Sequence, residues 1–432
     1  MKISTTIVIV IMGRIIRDLV TKVYLSTIGK LKYHYKLNRY WATLPKKIEK
    51  IRNKKTIKVL FVVSEARSWK SESLYLAMKK HDRFLPVVGV STNQSFPQAK
   101  IGMIEYLVEK GYDYYDLDAK KDSIKAINPD LIFYFSPYDS CYSKGHFYSD
   151  NLEYVFGGID YCLAITKHVV HLVHPWFDYC WQFYVEHNDV AIRKKEILGY
   201  RARNIKVTGV PMQDILLQPK NDFKDPWKDK TGKKRIIYAP HHSIKGTNGD
   251  GIEFATFLEF GEPLLEFAQR YSDSITIAFK PHGTLYPKLV KIWGKERTDG
   301  YYERWQQMPN TQYEDGDYVS LFKYSDAIIH DCASFIIEYL YMDKPSMYLV
   351  SKSNSTEDMF GFVLKGYESY EHGRSVNDIE EFIKRVIQGV DQKRVERHNC
   401  IVNELLPPGG KTASENIINS ILIGLSDADK HE

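Results

Sequence analysis

Residues Tyr324 to Tyr348 read YSDAIIHDCASFIIEYLYMDKPSMY, and their pattern decides the fold class. Apolar Ala327–His330 ends at Asp331, small Ala333 and Ser334 form a tight turn, Ser334–Tyr341 has helical spacing, and Pro345–Val350 (PSMYLV) is again a short apolar run. A strand, turn, helix and second strand in this order predict a parallel sheet covered by helices, an α/β fold.

The same alternation extends outward in both directions. Upstream lie the strands Ser274–Phe279 and Arg235–Ala239, with a helix expected to start at Pro263 and run to Arg270, because proline is tolerated at the first helical position. Before them, LLQPKNDFKDPWKDKT (Leu216 to Thr231) has two prolines, many charges and no apolar period, which predicts a linker. An earlier α/β series has strands at Thr56–Val63, Leu85–Val90, Leu131–Phe135, Val169–Val173 and Ile205–Val207, with helical patterns ending at Lys80 and Lys110. Downstream, Ala413 to Leu425 is a final helix after Pro407-Pro408-Gly409-Gly410. The divisions expected are an arm over 1–55, one α/β half over 56–215, a linker over 216–232, a second half over 233–410, and a helix and tail over 411–432. Two such halves describe a cleft enzyme, since ligands of these sheets bind beyond the carboxyl ends of the strands.

Composition narrows the class. At 432 residues, 44% apolar and 26% charged, the chain suits a two-domain globular protein and not a disordered or coiled one. Its 31 tyrosines favour sugar-stacking clefts or wet interfaces. Met1 to Lys58 holds 15 Lys and Arg against Asp18 and Glu49, a local +13, so the rest carries −7 of the net +6. An acidic body argues against a nucleic-acid cleft. The arm's apolar run Ile7–Met12 is too short to span a bilayer, so the expectation is a helix on an anionic membrane surface, followed by Lys30, Lys32, Lys36, Arg39, Lys46 and Lys47. A helix packed on the protein's own core is the alternative. Five widely spaced cysteines read as reduced thiols, which places the protein in the cytoplasm.

Candidate chemistry gathers at strand ends. The turn after Asp331, with Ala333 and Ser334, offers N–H donors and a hydroxyl to a phosphate, or merely a helix cap. IAFKPHG delivers Lys280 and His282 to the same sheet edge, and YAPHHS delivers His241 and His242. A cation with imidazoles there can neutralise a diphosphate. In KHVVHLVHP (Lys167 to Pro175), His171 would face away from His168 and His174 on a strand, which argues against a metal. His168 and His171 are expected to be buried and structural, and His174 to project into the cleft as a general base. No P-loop, kinase set, G-x-S-x-G or G-x-G-x-x-G is present.

In order, VTGVPMQD (207–214), IIYAPHHS (236–243), FKPHG (279–283), the 324–348 segment and GGKTASENI (409–417) resemble the CDP-glycerol glycerophosphotransferase family of teichoic-acid polymerases and primases. The family motifs run T-G-x-P-R-x-D, Y-A-P-T-W, R-x-H-P, S-D-x-x-I-T-D-Y-S-S and D-G-x-A-S. This chain departs from them at Met212, His241, His242, Lys280, Gly283 and Ala333, and Pro175, Trp176 and Phe177 replace the G-T-P of W-H-G-T-P. The resemblance implies a GT-B-like fold of two Rossmann-like halves, with the nucleotide donor on the C-terminal half and the acceptor on the N-terminal half. It implies His174 as catalytic base and His282 as the second catalytic residue, at the donor diphosphate, with Lys280, His242, Asp331, Ala333 and Ser334 beside the phosphates. It further implies a CDP-glycerol-like donor as substrate and a peripheral position on the inner membrane face; separately, no acidic pair has clear metal spacing, so no tightly held cofactor or metal is expected. The acceptor would be a glycan or lipid-linked molecule of teichoic-acid-like, capsule or surface-polysaccharide synthesis. A GT-B glycosyltransferase or epimerase using a UDP- or GDP-sugar, and a non-catalytic glycan-binding scaffold, are the rival readings. A homo-oligomer is left open.

Overall fold

The computed structural model of the protein describes residues 31–160, 162–168, 172, 174–247, 253–352 and 355–426. β1 (Ile57–Val63), β2 (Phe84–Val90), β3 (Tyr114–Asp116), β4 (Leu131–Tyr134), β5 (Val155–Ile159), β6 (Gln182–Val185) and β7 (Ile205–Val207) form a seven-stranded sheet in the order β3-β2-β1-β4-β5-β6-β7. β8 (Lys234–Ala239), β9 (Ile275–Phe279), β10 (Thr311–Tyr313), β11 (Ala327–His330), β12 (Ser346–Leu349) and β13 (Glu371–Gly373) form a second sheet, β10-β9-β8-β11-β12-β13. Every pairing in both sheets is parallel, so the strands are apolar on both faces, as in IKVLFVV and ITIAF. Each order reverses direction beside its first strand, between β1 and β4 and between β8 and β11. Such a reversal opens a crevice at the carboxyl edge.

One apolar core runs under the first sheet and continues into the second half through Phe322, Ile336, Leu340 and Phe362, while Tyr238, Phe260, Phe279 and Trp305 fill a separate core on the other side of the second sheet. The segment expected to be a linker is ordered. Trp227 is 1% exposed, its indole N–H donates to the Leu321 carbonyl at 3.4 Å, and Lys228 N donates to Gln312 Oε1 at 2.8 Å. A single indole supplies the apolar anchor that the period could not reveal. The helix expected to begin at Pro263 spans Phe257–Arg270 with the proline inside it. The carbonyl left without a donor belongs to Glu259, whose position is exposed, so water can satisfy it.

Residues 31–52 are helical, and Leu37, Tyr40, Leu44, Ile48 and Ile51 are buried at i, i+3, i+7, i+11 and i+14. This stripe lies on the first half: Tyr40 stacks on Phe156 at 5.7 Å, Trp41 Nε1 donates to the Asp178 carbonyl at 2.8 Å, and Lys47 Nζ to that of Leu152 at 2.5 Å. This part of the arm is therefore packed on the protein's own core, and its cations Lys32, Lys36, Arg39 and Lys46 are exposed on the outer face. The expected membrane-binding run before Lys30 lies outside the described residues. No helix among the described residues is long and apolar enough to cross a membrane.

The helix Ala413–Ser426 returns to the first half. Its start is held by Asp214, which accepts from Ala413 N at 2.7 Å, Ser414 N at 2.9 Å and Ser414 Oγ at 2.6 Å, in a buried knot that includes Ser73. Removing the carboxylate strands three buried donors, so Asp214→Ala should cost about 2–4 kcal/mol of stability. A loss below 1 kcal/mol in urea unfolding would show that the knot is dispensable.

Candidate functional site

The second sheet brings three imidazoles together at its reversal. His241 and His242 follow β8, and His282 follows β9. Ring centroids of His242 and His282 are 4.2 Å apart, those of His241 and His242 4.2 Å, and those of His241 and His282 5.2 Å. One nitrogen from each lies within 4.8 Å of the others. His241 also stacks on Phe254 at 4.7 Å. Burial, reinforced by the fields of His242, His282 and Lys288, pushes the His241 pKa far down, so this ring is neutral at physiological pH.

Lys288 joins the cluster from the helix Leu285–Trp293. Its Nζ lies 2.7 Å from His242 Nδ1 and 3.2 Å from the His242 carbonyl. Nothing in the motif series pointed to it; the signal was a lysine in the first turn after KPHG, facing back over that turn. Lys280 Nζ donates to the Gly316 carbonyl at 2.9 Å.

Asp331, expected beside a phosphate, has its carboxylate turned into the protein. The residue is 0% exposed, with Oδ1 accepting from His241 N at 2.6 Å and Oδ2 from Thr256 N at 2.6 Å and Thr256 Oγ1 at 2.8 Å. Burial raises its pKa to about 6 against those bonds. The buried carboxylate holds the histidine turn through these bonds, which offset the cost of its burial. Ala333 and Ser334 open a helix that spans only Ala333–Glu338, and Ser334 Oγ lies 3.3 Å from Cys332 Sγ. That helix offers first-turn N–H groups rather than a long dipole.

His174 lies on the first half. It caps the helix Pro175–Tyr179 by accepting from Trp176 N at Nδ1, 3.2 Å, and packs edge-on against Tyr138 at 5.5 Å. Burial lowers its pKa, with Asp139 opposing. Buried Lys194 donates to the Leu172 carbonyl at 2.9 Å and pairs with Asp160 at 3.2 Å, fixing both sides of the loop that leads to His174. His168 is exposed, contrary to the expected buried role, because its segment runs along the surface and pairs Thr166 with Met359. The expected strand at 169–173 falls almost wholly outside the described residues, as does His171.

A further group was not legible at all. Lys70, in the loop after β1, donates to Tyr318 Oη at 3.0 Å, and Tyr318 bonds to Glu338, a 4% exposed carboxyl whose Oε2 has no protein partner. Burial lowers the Lys70 pKa and raises that of Glu338. These bonds link the first half to the second through Tyr318 and end at Glu338, on the helix that Ser334 helps to open.

The family described as CDP-Glycerol:Poly(glycerophosphate) glycerophosphotransferase matches residues 182–422, more than half of the chain. The protein belongs to this family. It is therefore a transferase. No curated protein matches the chain. Among solved structures, the H-to-N variant of the wall teichoic acid polymerase TagF has a TM-score of 0.56 at 12% identity, covering 93% of this chain and 99% of its own. Staphylococcus aureus MnaA, solved with UDP, has 0.56 at 15%, covering 86% and 97%. The Neisseria meningitidis UDP-GlcNAc 2-epimerase, bound to UDP-GlcNAc, has 0.56 at 15%, covering 85% and 100%. At these identities the likeness establishes the fold alone, the GT-B-like pair of sheets.

In this glycerophosphotransferase-family chain the turn after β11 rests on His330. The ring is fully buried against Phe335, Tyr348 and Tyr370, with Nδ1 3.0 Å from the Cys332 carbonyl, and burial pushes its pKa down to about 3. The unfolded ring takes a proton near 6.5, so between pH 6.5 and 3 the unfolded state binds more protons and stability falls as pH falls. This one group contributes at most about 1.4 kcal/mol per pH unit. His330→Asn should flatten the decline in thermal midpoint between pH 6.5 and 4 relative to wild type; parallel curves would remove His330 as its source.

Proposed function

We propose that the protein transfers a glycerol-phosphate or related polyol-phosphate unit from a CDP-linked donor to a hydroxyl of a cell-surface glycan or lipid-linked acceptor. The observation that supports this best is the gathering of His241, His242, His282 and Lys288 at the strand-order reversal of the second sheet, in a chain of this family. That crevice is where a nucleotide's phosphates sit in open α/β sheets.

In the proposed reaction the acceptor oxygen attacks the donor's β-phosphorus, a P–O bond forms in line, and the P–O bond to CMP breaks. The acceptor's proton passes to His174, and the imidazoles with Lys288 and the Ser334 turn stabilise the charge on departing CMP. His174 is neutral, as a base must be, but its Nδ1 lone pair is taken by Trp176 N–H, which leaves the ring proton on Nε2. Acceptor binding has to loosen that 3.2 Å contact before the ring can take a second proton. Lys70 and Glu338 bring the first half to the donor's side of the cleft.

We place the protein on the cytoplasmic membrane face. The outer side of the 31–52 helix supports this, with Leu31 and Tyr35 65% and 67% exposed among Lys32, Lys36 and Arg39.

Two measurements test the reading. Calorimetric titration with CDP-glycerol, CMP, UDP-sugars and GDP-sugars should show CDP-glycerol binding most tightly, and a preference for a sugar nucleotide would move the protein to glycosyl transfer. His174→Ala should lower turnover by about 10²–10⁴ with donor affinity within two-fold of wild type; unchanged turnover would remove it as the base.

A further inference from the structure

The segment that leads to His174 is tied to a group of buried charges that the proposed reaction does not use. Asp160 follows β5 and Glu186 follows β6, and the two strands are neighbours, with Ile159 opposite Tyr184. Lys194, from the helix Asn188–Leu198, is 1% exposed and pairs with Asp160 Oδ2 at 3.2 Å. Glu186 is buried, its Oε1 accepts from Ala164 N at 2.5 Å, and its Oε2 has no hydrogen-bond partner among the described residues. Among these residues two carboxyl groups share a single cation, and ionising both is costly because the second charge has no counter-ion. Burial, with the field of Asp160, pushes the Glu186 pKa up to about 7, and burial raises that of Asp160 against the pull of Lys194. From the second half, the Tyr341 phenol lies in the field of Glu186 and donates to the Leu405 carbonyl at 2.7 Å. His187, next in the chain, lies 3.5 Å from Glu404 Oε2.

This cluster reaches both sides of His174. Lys194 Nζ donates to the Leu172 carbonyl at 2.9 Å, just before the histidine, and sits 4.2 Å from the centre of the Phe177 ring, just after it. Phe177 N in turn donates to the His174 carbonyl at 2.9 Å, and the two rings are 6.2 Å apart. The second half grips the same segment farther back, where Lys167 N donates to the Asp358 carbonyl at 2.6 Å and Phe360 N to that of Ile165 at 3.2 Å. We propose that Glu186 and Lys194 are positioning residues for His174, and that they hold it in place only while the two carboxyl groups of the cluster share one proton. Neutral Glu186 leaves Lys194 to Asp160 and the Leu172 carbonyl. Ionised Glu186 competes for the ammonium and draws it from Leu172, which frees the chain beside the base.

The inference rests on the proposed role of His174 as base, and the ring itself supplies the test. With nitrogen-15 histidine, His174 is assigned by the signals lost in His174→Ala, and its shifts are followed from pH 5 to 9. Wild type should show the ring's own titration, lowered by burial, and a second inflection near pH 7 as Glu186 ionises. Glu186→Gln still accepts from Ala164 N but has no proton to lose, so the second inflection should vanish and the first remain. Asp160→Asn removes the like charge and should move the second inflection down by about one pH unit, whereas Lys194→Met removes the counter-charge and should move it up. Circular dichroism and the thermal midpoint confirm that each variant is folded. A wild-type His174 without the inflection near pH 7, or one that keeps it in Glu186→Gln, would overturn the inference. The base reading fails differently: His174→Ala would leave turnover unchanged while the coupled inflection stood.

Discussion

The site is held in place by one buried carboxylate. Asp331 stands at the end of β11, and its two oxygens collect the backbone of His241 and the backbone and hydroxyl of Thr256, thereby tying the turn after β8 to the turn after its neighbouring strand. Without that tie, the carboxyl edge would present two independent loops at the place where strand order reverses. Burying an acid there is costly, as its raised pKa records, and the three donated bonds offset the cost. The histidine cluster, the Lys288 contact and the Ser334 turn all take their positions from this frame.

Much of this was legible because parallel strands announce themselves. Runs such as TIKVLFVV and IAF are apolar on both faces, and their ends hold the polar residues that matter, so His241, His242 and His282 could be found without coordinates. Other strands were hidden. β5 reads VFGGI, and its glycines look like a loop until the packing is seen: a Cβ on Gly157 would lie 2.3 Å from the Phe133 ring, and one on Gly158 2.3 Å from Phe183. The glycines are there because aromatic rings occupy the space a side chain would need. β6, QFYV, is four residues long and too short to show a period.

At the site, residue type was a better guide than role. Asp331 was recognised as belonging to the turn, yet its side chain points inward, and no spacing rule separates a carboxylate that caps from one that ligates. Lys280 shares the strand end with His282 but reaches Gly316, while Lys288, outside any motif, reaches the imidazoles. Lys70 and Glu338 lie 268 positions apart, and only the meeting of the two halves brings them into one relay through Tyr318.

The helix Ala413–Ser426 adds a constraint in time. It is the last described element of the chain, yet it packs on the helices Glu72–Lys79 and Pro211–Leu217, and its Ser414 shares one buried knot with Ser73 and Asp214. A ribosome delivers the first half long before this helix exists. Until it emerges, the Asp214 carboxylate has no donors from Ala413 and Ser414, and the apolar faces that will receive Ile417 and Ile421 are open. The N-terminal half therefore keeps that surface uncovered until the Ala413–Ser426 helix has been made, and the nascent chain depends on that helix, or on a chaperone, to cover it.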